Sequence, residues 1–343
     1  MVPSPPMADR AGSPAAVLGA PFAGKYRLVQ LLRTGGVSHV YLAEMMTLRP
    51  AAEGARGPEL ARTGRAPRFA LKVLRAELAN DRSMVRRFER GVLAASRVVH
   101  PNVARVGMLE RLPDGVPFCT MELLVGLDLA DTLAQARRLD PKRAVRIAEG
   151  IASGLAAAHD EGVVHLDVKP ENVFLVHQAD GREIVKLLDF GLAAVPKGAP
   201  SKDAAPTLAP SKDAPPAGSS PAIPTPVEQR DSFVDAAFCT PEYMAPEQRR
   251  GVPATPAMDV YALGAVLLEM LTGHPPSAAE APWPGAPPSK EIPPSLARVL
   301  DRALARDPEA RFASMKELRA ALLAAVDERT RADHRSTGLR SAK

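Results

Sequence analysis

Four short segments hold the residues of this chain whose types and spacing could do chemistry. The densest is His165-Leu166-Asp167-Val168-Lys169-Pro170-Glu171-Asn172, which offers a carboxylate, an ammonium and an amide in close succession. Seventeen residues after Asn172 comes Asp189-Phe190-Gly191. Upstream lies Ala70-Leu71-Lys72, and downstream Thr240-Pro241-Glu242-Tyr243-Met244-Ala245-Pro246-Glu247. Carboxylate and amide oxygens are hard ligands of the kind Mg2+ takes. A carboxylate can accept a proton from a hydroxyl, and lysines supply compact positive charge for anionic oxygens. Each segment alone is a weak signal; their order along one chain carries the weight.

Those residues need elements to hold them. Tyr26–Gln30 and Val40–Leu42 alternate apolar and polar residues around Gly35-Gly36 and predict a hairpin. Phe69–Leu74, Val103–Glu110 and Pro117–Glu122 predict strands, the last two joined by Pro113-Asp114-Gly115. Residues 83–99 have helical spacing with a serine at the start. From about residue 128 the pattern turns helical, with a short helix over Asp128–Arg137 and a long one over Lys142–Glu161. A second hairpin, Val173–Val176 with Ile184–Leu188, turns through Asp180-Gly181. Further helices are expected near Met258–Leu271, Ser295–Arg306 and Ser314–Asp327. Strands first and helices after argue for an α+β chain with two lobes, a small β-rich one and a larger α-helical one.

With that context the four segments resemble the catalytic loop, the DFG and APE motifs and the strand-3 lysine of eukaryotic-like serine/threonine protein kinases of bacterial type. The similarity runs from about Tyr26 to Asp327. It implies a two-lobed protein-kinase-like fold over residues 26–327, with an N-lobe of about 26–124 and a C-lobe of about 125–327. It also implies a function, transfer of the ATP γ-phosphate to protein Ser/Thr hydroxyls. Asp167 would be the catalytic base and Lys169 would meet the γ-phosphate. Asn172 and Asp189 would hold Mg2+, with Mn2+ as the alternative ion. ATP would be met by Lys72, Arg33, Gly35, Gly36, Val40 and Ala70, and by the gatekeeper Met121 and hinge residues Glu122 and Leu124. His165 would support the loop by packing, Glu247 and Arg311 would form a buried ion pair, and Asp259 would bind the catalytic-loop backbone. Lys169 and Thr240, the latter as a substrate-positioning residue, point to serine or threonine acceptors rather than tyrosine.

Three positions depart from the family pattern. In Arg33-Thr34-Gly35-Gly36-Val37-Ser38-His39-Val40, arginine and serine replace the first and third glycines of the phosphate loop. The helix position that should carry a glutamate for Lys72 falls on Gly91. The nearest acid, Glu89, lies two residues or about 200° away around a helix. Leu166 stands where the family has the arginine that reads activation-loop phosphate.

Composition bounds the rest. Of 343 residues, 35 are proline. They crowd residues 1–21 and 193–230, which makes those stretches poor hosts for regular structure. Residues 1–25 are expected to be a disordered Pro/Ala-rich N-terminus, about 46–67 and 193–230 loop insertions, and 328–343 a basic tail. The net charge of +5 is mostly that tail, so the body lacks the basic footprint of a nucleic-acid binder. Two cysteines give no disulfide framework. The most apolar run, Val260 to Leu271, is too short for a bilayer and contains Glu269. The expectation is a cytoplasmic protein whose partners are protein substrates, without nucleic acid or membrane. The Pro-rich insert is the expected regulatory or partner-binding surface.

Two further readings compete with an active kinase. The eroded loop and Gly91 favour a pseudokinase or weakly active scaffold that binds nucleotide or partners. The retained Asp167, Lys169, Asn172, Asp189 and Lys72 oppose it. A pure interaction protein built on the Pro-rich segments has the least support.

Overall fold

The computed structural model describes residues 17–46, 66–178, 180–190, 241–276 and 292–325. Most of the two expected insertions, the basic tail, Gly191 and Thr240 lie outside these residues.

The chain divides into two compact units, Met1–Thr132 with Pro170–Leu192, and Leu133–Lys169 with Ala193–Lys343. The first unit holds every strand among the described residues. The strands are β1 Pro21–Phe22, β2 Tyr26–Thr34, β3 Ser38–Met45, β4 Arg68–Leu74, β5 Val106–Arg111, β6 Pro117–Met121, β7 Gly126–Asp128, β8 Val173–His177 and β9 Glu183–Leu187. Six form an antiparallel sheet in the order β1-β2-β3-β4-β6-β5, and β7-β8-β9 form a second. The expected lobe boundary near residue 124 lies a few residues ahead of this division. The first unit runs to Thr132 and takes back residues 170–192. Hydrogen bonds from Leu187 N to Asn102 O (2.8 Å) and from Ala104 N to Leu187 O (2.9 Å) tie β9 to it.

Alternation sorts each strand into two faces. Tyr41 and Leu71 are opposite one another, as are Val73 and Phe118. These residues are fully buried beside Leu28 and Leu74. The helix α1, Arg82–Arg97, adds Phe88 and Val92 to this core. Its N-cap is Asp81, whose carboxylate accepts from Ser83 N and Met84 N, two residues ahead of the serine that the sequence suggested.

The N-terminal expectation needs correction. Residues 17–25 are part of the fold: β1 pairs with β2, and Val17 and Phe22 are buried. The Phe22 ring meets Phe118 edge-on at 5.1 Å. Burying a side chain of that size stabilises by roughly 1.5–3 kcal/mol, enough to hold a two-residue strand that Pro21 disguises. The strand β7 was not foreseen either, being only three residues long. Gly126 begins it at φ +155°, where a Cβ would lie 2.0 Å from Leu175 O, so no other residue fits this approach.

The second unit is helical. It contains α3 Pro141–Asp160, α4 Pro246–Arg249, α5 Pro256–Thr272, α6 Pro294–Ala303 and α7 over 315–325; α2, Leu129–Ala136, bridges the division between units. Asp140 caps α3 through Lys142 N, with Pro141 in the first turn. Nearly every residue of α5 is buried, from Met258 to Leu271. No helix of the described residues is long and apolar enough to cross a membrane.

Candidate functional site

In the first unit the sheet register lines up the residues that the sequence singled out. Arg33 is opposite Val40, Val40 opposite Lys72, and Lys72 opposite Cys119. Paired residues share a face, so these four form one row across four strands. The next row on that face is Gln30, Leu42, Ala70 and Met121. Two irregularities in β2 make this possible. Val29 and Leu32 are extra residues relative to β3, and the second bulge turns Arg33 onto the face of Val40 and Lys72. The turn beyond is held by Gly35 N donating to Ser38 O (2.8 Å) and Arg75 N to Val37 O (3.0 Å).

Lys72 Nζ donates to Asp189 Oδ1 at 2.6 Å. Asp189 is aimed by the β8–β9 hairpin. Val173 pairs with Leu187, and Leu188 N donates to Asn172 O at 2.8 Å, which puts residues 172 and 189 at the same end of the hairpin. The spacing of seventeen residues is thus the length of two strands and their turn. Asp189 adopts φ +52°, a left-handed conformation that costs an aspartate of order 1 kcal/mol and recurs at functional positions. The carbonyl-bearing side chains of Asn172 and Asp189 are the hard oxygen donors that a divalent cation such as Mg2+ needs, and they fit one.

Helix α1 turns no carboxylate to Lys72. Glu89 is ion-paired with Arg111, so a shifted register that would bring it to the lysine does not occur. Gly91 is buried, and the nearest α1 ring to Lys72 is Phe88, 5.9 Å from Nζ. Across β4 and β6, burial pushes the Cys119 thiol up to about 12, which leaves it a packing residue.

The segment after Met121 is fixed by its neighbours. Glu122 N donates to Arg105 O (3.0 Å), and the Glu122 carboxylate accepts from Lys186 Nζ (2.7 Å) and Arg105 N (2.8 Å). Leu124 follows in the irregular stretch that leads to β7.

In the second unit Lys169 Nζ donates to Asp167 at 3.0 Å, and both side chains are mostly buried. The loop that carries them rests on Asp259, a fully buried residue of α5. Its carboxylate accepts from His165 N (2.9 Å) and Leu166 N (2.8 Å) and meets His159 Nε2 at 2.7 Å. Burial opposes the charged form of Asp259, but the His159 hydrogen bond, electrostatic attraction to His159 and His165, and the His165 backbone N–H outweigh it and hold the carboxyl below the usual range. Leu166 sits at φ +67°, buried, with its carbonyl accepting from Gln248 Nε2 at 2.9 Å. Two hydrogen bonds made by its own backbone, and one made by the N–H of His165, therefore hold a left-handed leucine beside Asp167. His165 is wholly buried, and its Nδ1 accepts from Asp167 N at 3.3 Å.

Glu247 and Arg311 come together as a bidentate pair, 2.6 and 2.8 Å, with both side chains inaccessible. Arg311 also donates to the carbonyls of Ala305 and Ala257. This satisfies most of its fork in a place where an unpaired charge would be costly.

Comparison with known proteins gives the same reading. A family model described as the protein kinase domain matches residues 59–322. The chain belongs to the protein kinase family. This kinase domain is 32% identical over 330 residues to the serine/threonine-protein kinase pkn3 of Myxococcus xanthus, covering 92% of the chain and 52% of that protein. It is 29% identical to PrkC of Bacillus subtilis and 30% to PknB of Mycolicibacterium smegmatis, covering 42% of each. The chain thus spans about half or less of the curated relatives it matches. Among solved structures, the PknI kinase domain of Mycobacterium tuberculosis superposes with a TM-score of 0.59 at 26% identity, over 90% of this chain and 98% of that one. The family match begins after the β2–β3 hairpin, where two loop glycines are replaced.

In the kinase domain the expected residues fall into two groups. Arg33, Gly35, Gly36, Val40, Ala70, Lys72, Met121, Glu122, Leu124, Asn172 and Asp189 lie in the first unit, and His165, Asp167, Lys169, Glu247, Asp259 and Arg311 in the second. Sequence reasoning missed Gln248 and His159, which brace the loop of Asp167, and Asp128 and Glu171, which accept hydrogen bonds from Arg33. Gln248 could have been suspected as the neighbour of Glu247, and Glu171 lies inside the His165–Asn172 segment but acts through its backbone carbonyl; His159 and Asp128 carry no local signal.

Proposed function

We propose that this kinase domain transfers the γ-phosphoryl group of ATP to serine or threonine hydroxyls of proteins. The observation that carries this reading is the convergence of Lys72, Asp189 and Asn172. A strand lysine is 2.6 Å from an aspartate whose hairpin holds it beside an asparagine. That trio offers one positive charge for phosphate oxygens and two hard oxygens for a cation.

In this reading adenine lies against Val40, Ala70 and Met121 and meets the backbone of Glu122 to Leu124. Lys72 neutralises the α- and β-phosphates. Asp167 orients the acceptor hydroxyl and takes its proton as the oxygen attacks the γ-phosphorus; the bond to the β-γ bridging oxygen breaks and ADP leaves. Lys169, already bonded to Asp167, offsets charge on the transferring group. A divalent ion held by Asn172 and Asp189, Mg2+ or Mn2+, would screen the phosphate oxygens. Alignment and charge supply most of such catalysis, so the residues need rigid support more than reactivity. Asp259 and Gln248 give the Asp167 loop that support.

The test incubates the chain with Mg2+ and γ-labelled ATP beside an Asp167→Asn variant whose circular dichroism matches. Label transferred to Ser or Thr by the parent and lost in the variant supports the proposal; equal label, or none in either, refutes it.

A further inference from the structure

The residue that replaces the first loop glycine is half-exposed, but the tip of its side chain is tied down. Arg33 Nη1 donates to Asp128 Oδ2 and to Glu171 O, both at 3.0 Å. One guanidinium therefore joins the end of β2 in the six-stranded sheet to the end of β7 in the three-stranded sheet and to the turn just before Asn172. The bulge at Leu32 makes this reach possible, since it puts Arg33 in the row of Val40 and Lys72. Asp128 is rigid where it is met. Its other oxygen accepts from Asp131 N at 2.8 Å and its carbonyl from Thr132 Oγ1 at 2.9 Å, so it caps α2 while it holds the arginine. A glycine at position 33 would make neither bond.

We infer that Arg33 is a positioning residue that latches the β2–β3 hairpin onto Asp128 and Glu171 and so slows the exit of bound nucleotide. The inference rests on the reading that ATP lies against the row of Val40 and Lys72. A nucleotide on that face and beside Asn172 and Asp189 touches both sheets, and the latch spans them. Its chemistry is a charge-assisted pair with one partner half-exposed, 44% for Arg33 against 13% for Asp128. A contact of that kind changes a dissociation rate by about three- to tenfold and weakens as salt rises.

Stopped-flow release of a fluorescent N-methylanthraniloyl ADP, chased with excess ADP, tests it in the full chain. Arg33→Ala and Asp128→Asn should each speed release three- to tenfold, and the double variant should be no faster than either. Asp128→Asn keeps an oxygen for the α2 cap, so a folding defect is not built into the test. Release unchanged by Asp128→Asn overturns the latch, including the case in which Arg33→Ala alone is faster because the arginine binds phosphate directly. Rates that multiply in the double variant overturn it too. Absence of ADP binding by the parent, or binding undiminished by Lys72→Met, overturns instead the placement of the nucleotide on which the latch rests.

Discussion

Lys72 Nζ lies 2.6 Å from Asp189 Oδ1, and the α1 position where the family carries a glutamate for that lysine is Gly91. The lysine is oriented by the same carboxylate that is proposed to hold the cation. One residue serves both, and the helix brings the Phe88 ring to 5.9 Å from Nζ.

Lys72→Met is therefore expected to lower phosphate transfer by about 10²-fold or more, the usual cost of removing a charge aimed at the reacting group. Its effect on stability should be small, because Asp189 is 40% exposed and water can replace its partner. Initial rates with labelled ATP and a thermal melt check the two halves.

Asp259 links function to acid stability. Its carboxyl is held below its ordinary value of 3.8 in the folded chain. The native state thus binds fewer protons than the unfolded state in that range. The stabilisation is complete above about pH 4 and is lost as pH falls through the lower, folded value. Asp259→Asn should flatten this part of the acid-unfolding curve. It should also cost about 2–4 kcal/mol near pH 7 by weakening the bonds to His165, Leu166 and His159. Urea melts at a series of pH values measure both.

Breaking the Glu247–Arg311 pair should be more damaging than deleting it. Arg311→Met alone leaves a buried glutamate charge and is expected to cost about 3–5 kcal/mol. The double change with Glu247→Leu should recover part of that loss. Chemical denaturation of the three variants decides the sign.

Activity should not depend on a phosphate in the long insert. Residue 166 is a buried leucine whose backbone is taken by Asp259 and Gln248, so it has no charge to pair with phosphate. Replacing every Ser and Thr of 201–232 with Ala should leave the transfer rate within about twofold; a collapse in rate would contradict this.

The fold was legible wherever periodicity was strong. The strands of Phe69–Leu74 and Pro117–Glu122 and the long helix ending near Glu161 all appear within a few residues of their expected limits. What escaped was set by tertiary contacts. Pro21 hides a strand that exists because Phe22 packs on Phe118, and β7 is too short to show a period. The bulges of β2 erase the alternation that would have placed Arg33. At the site, motif spacing named the chemistry-bearing side chains, but not their partners. The bond from Lys72 to Asp189 could not be read from the spacing of either motif. Gln248 and His159 act through a backbone carbonyl and a buried carboxylate far away in sequence.

The β8–β9 hairpin separates what can vary from what cannot. The turn through Asp180 and Gly181 lies at the far end from Asn172 and Asp189, so residues added there lengthen the protein without moving either oxygen donor. A single residue inserted within Val173–His177 or Glu183–Leu187 has the opposite effect. It flips the faces of one strand, breaks the pairing of Val173 with Leu187, and carries Asn172 or Asp189 away from its mate. Lineages of this domain should therefore record length changes at the tip of the hairpin and none along its arms.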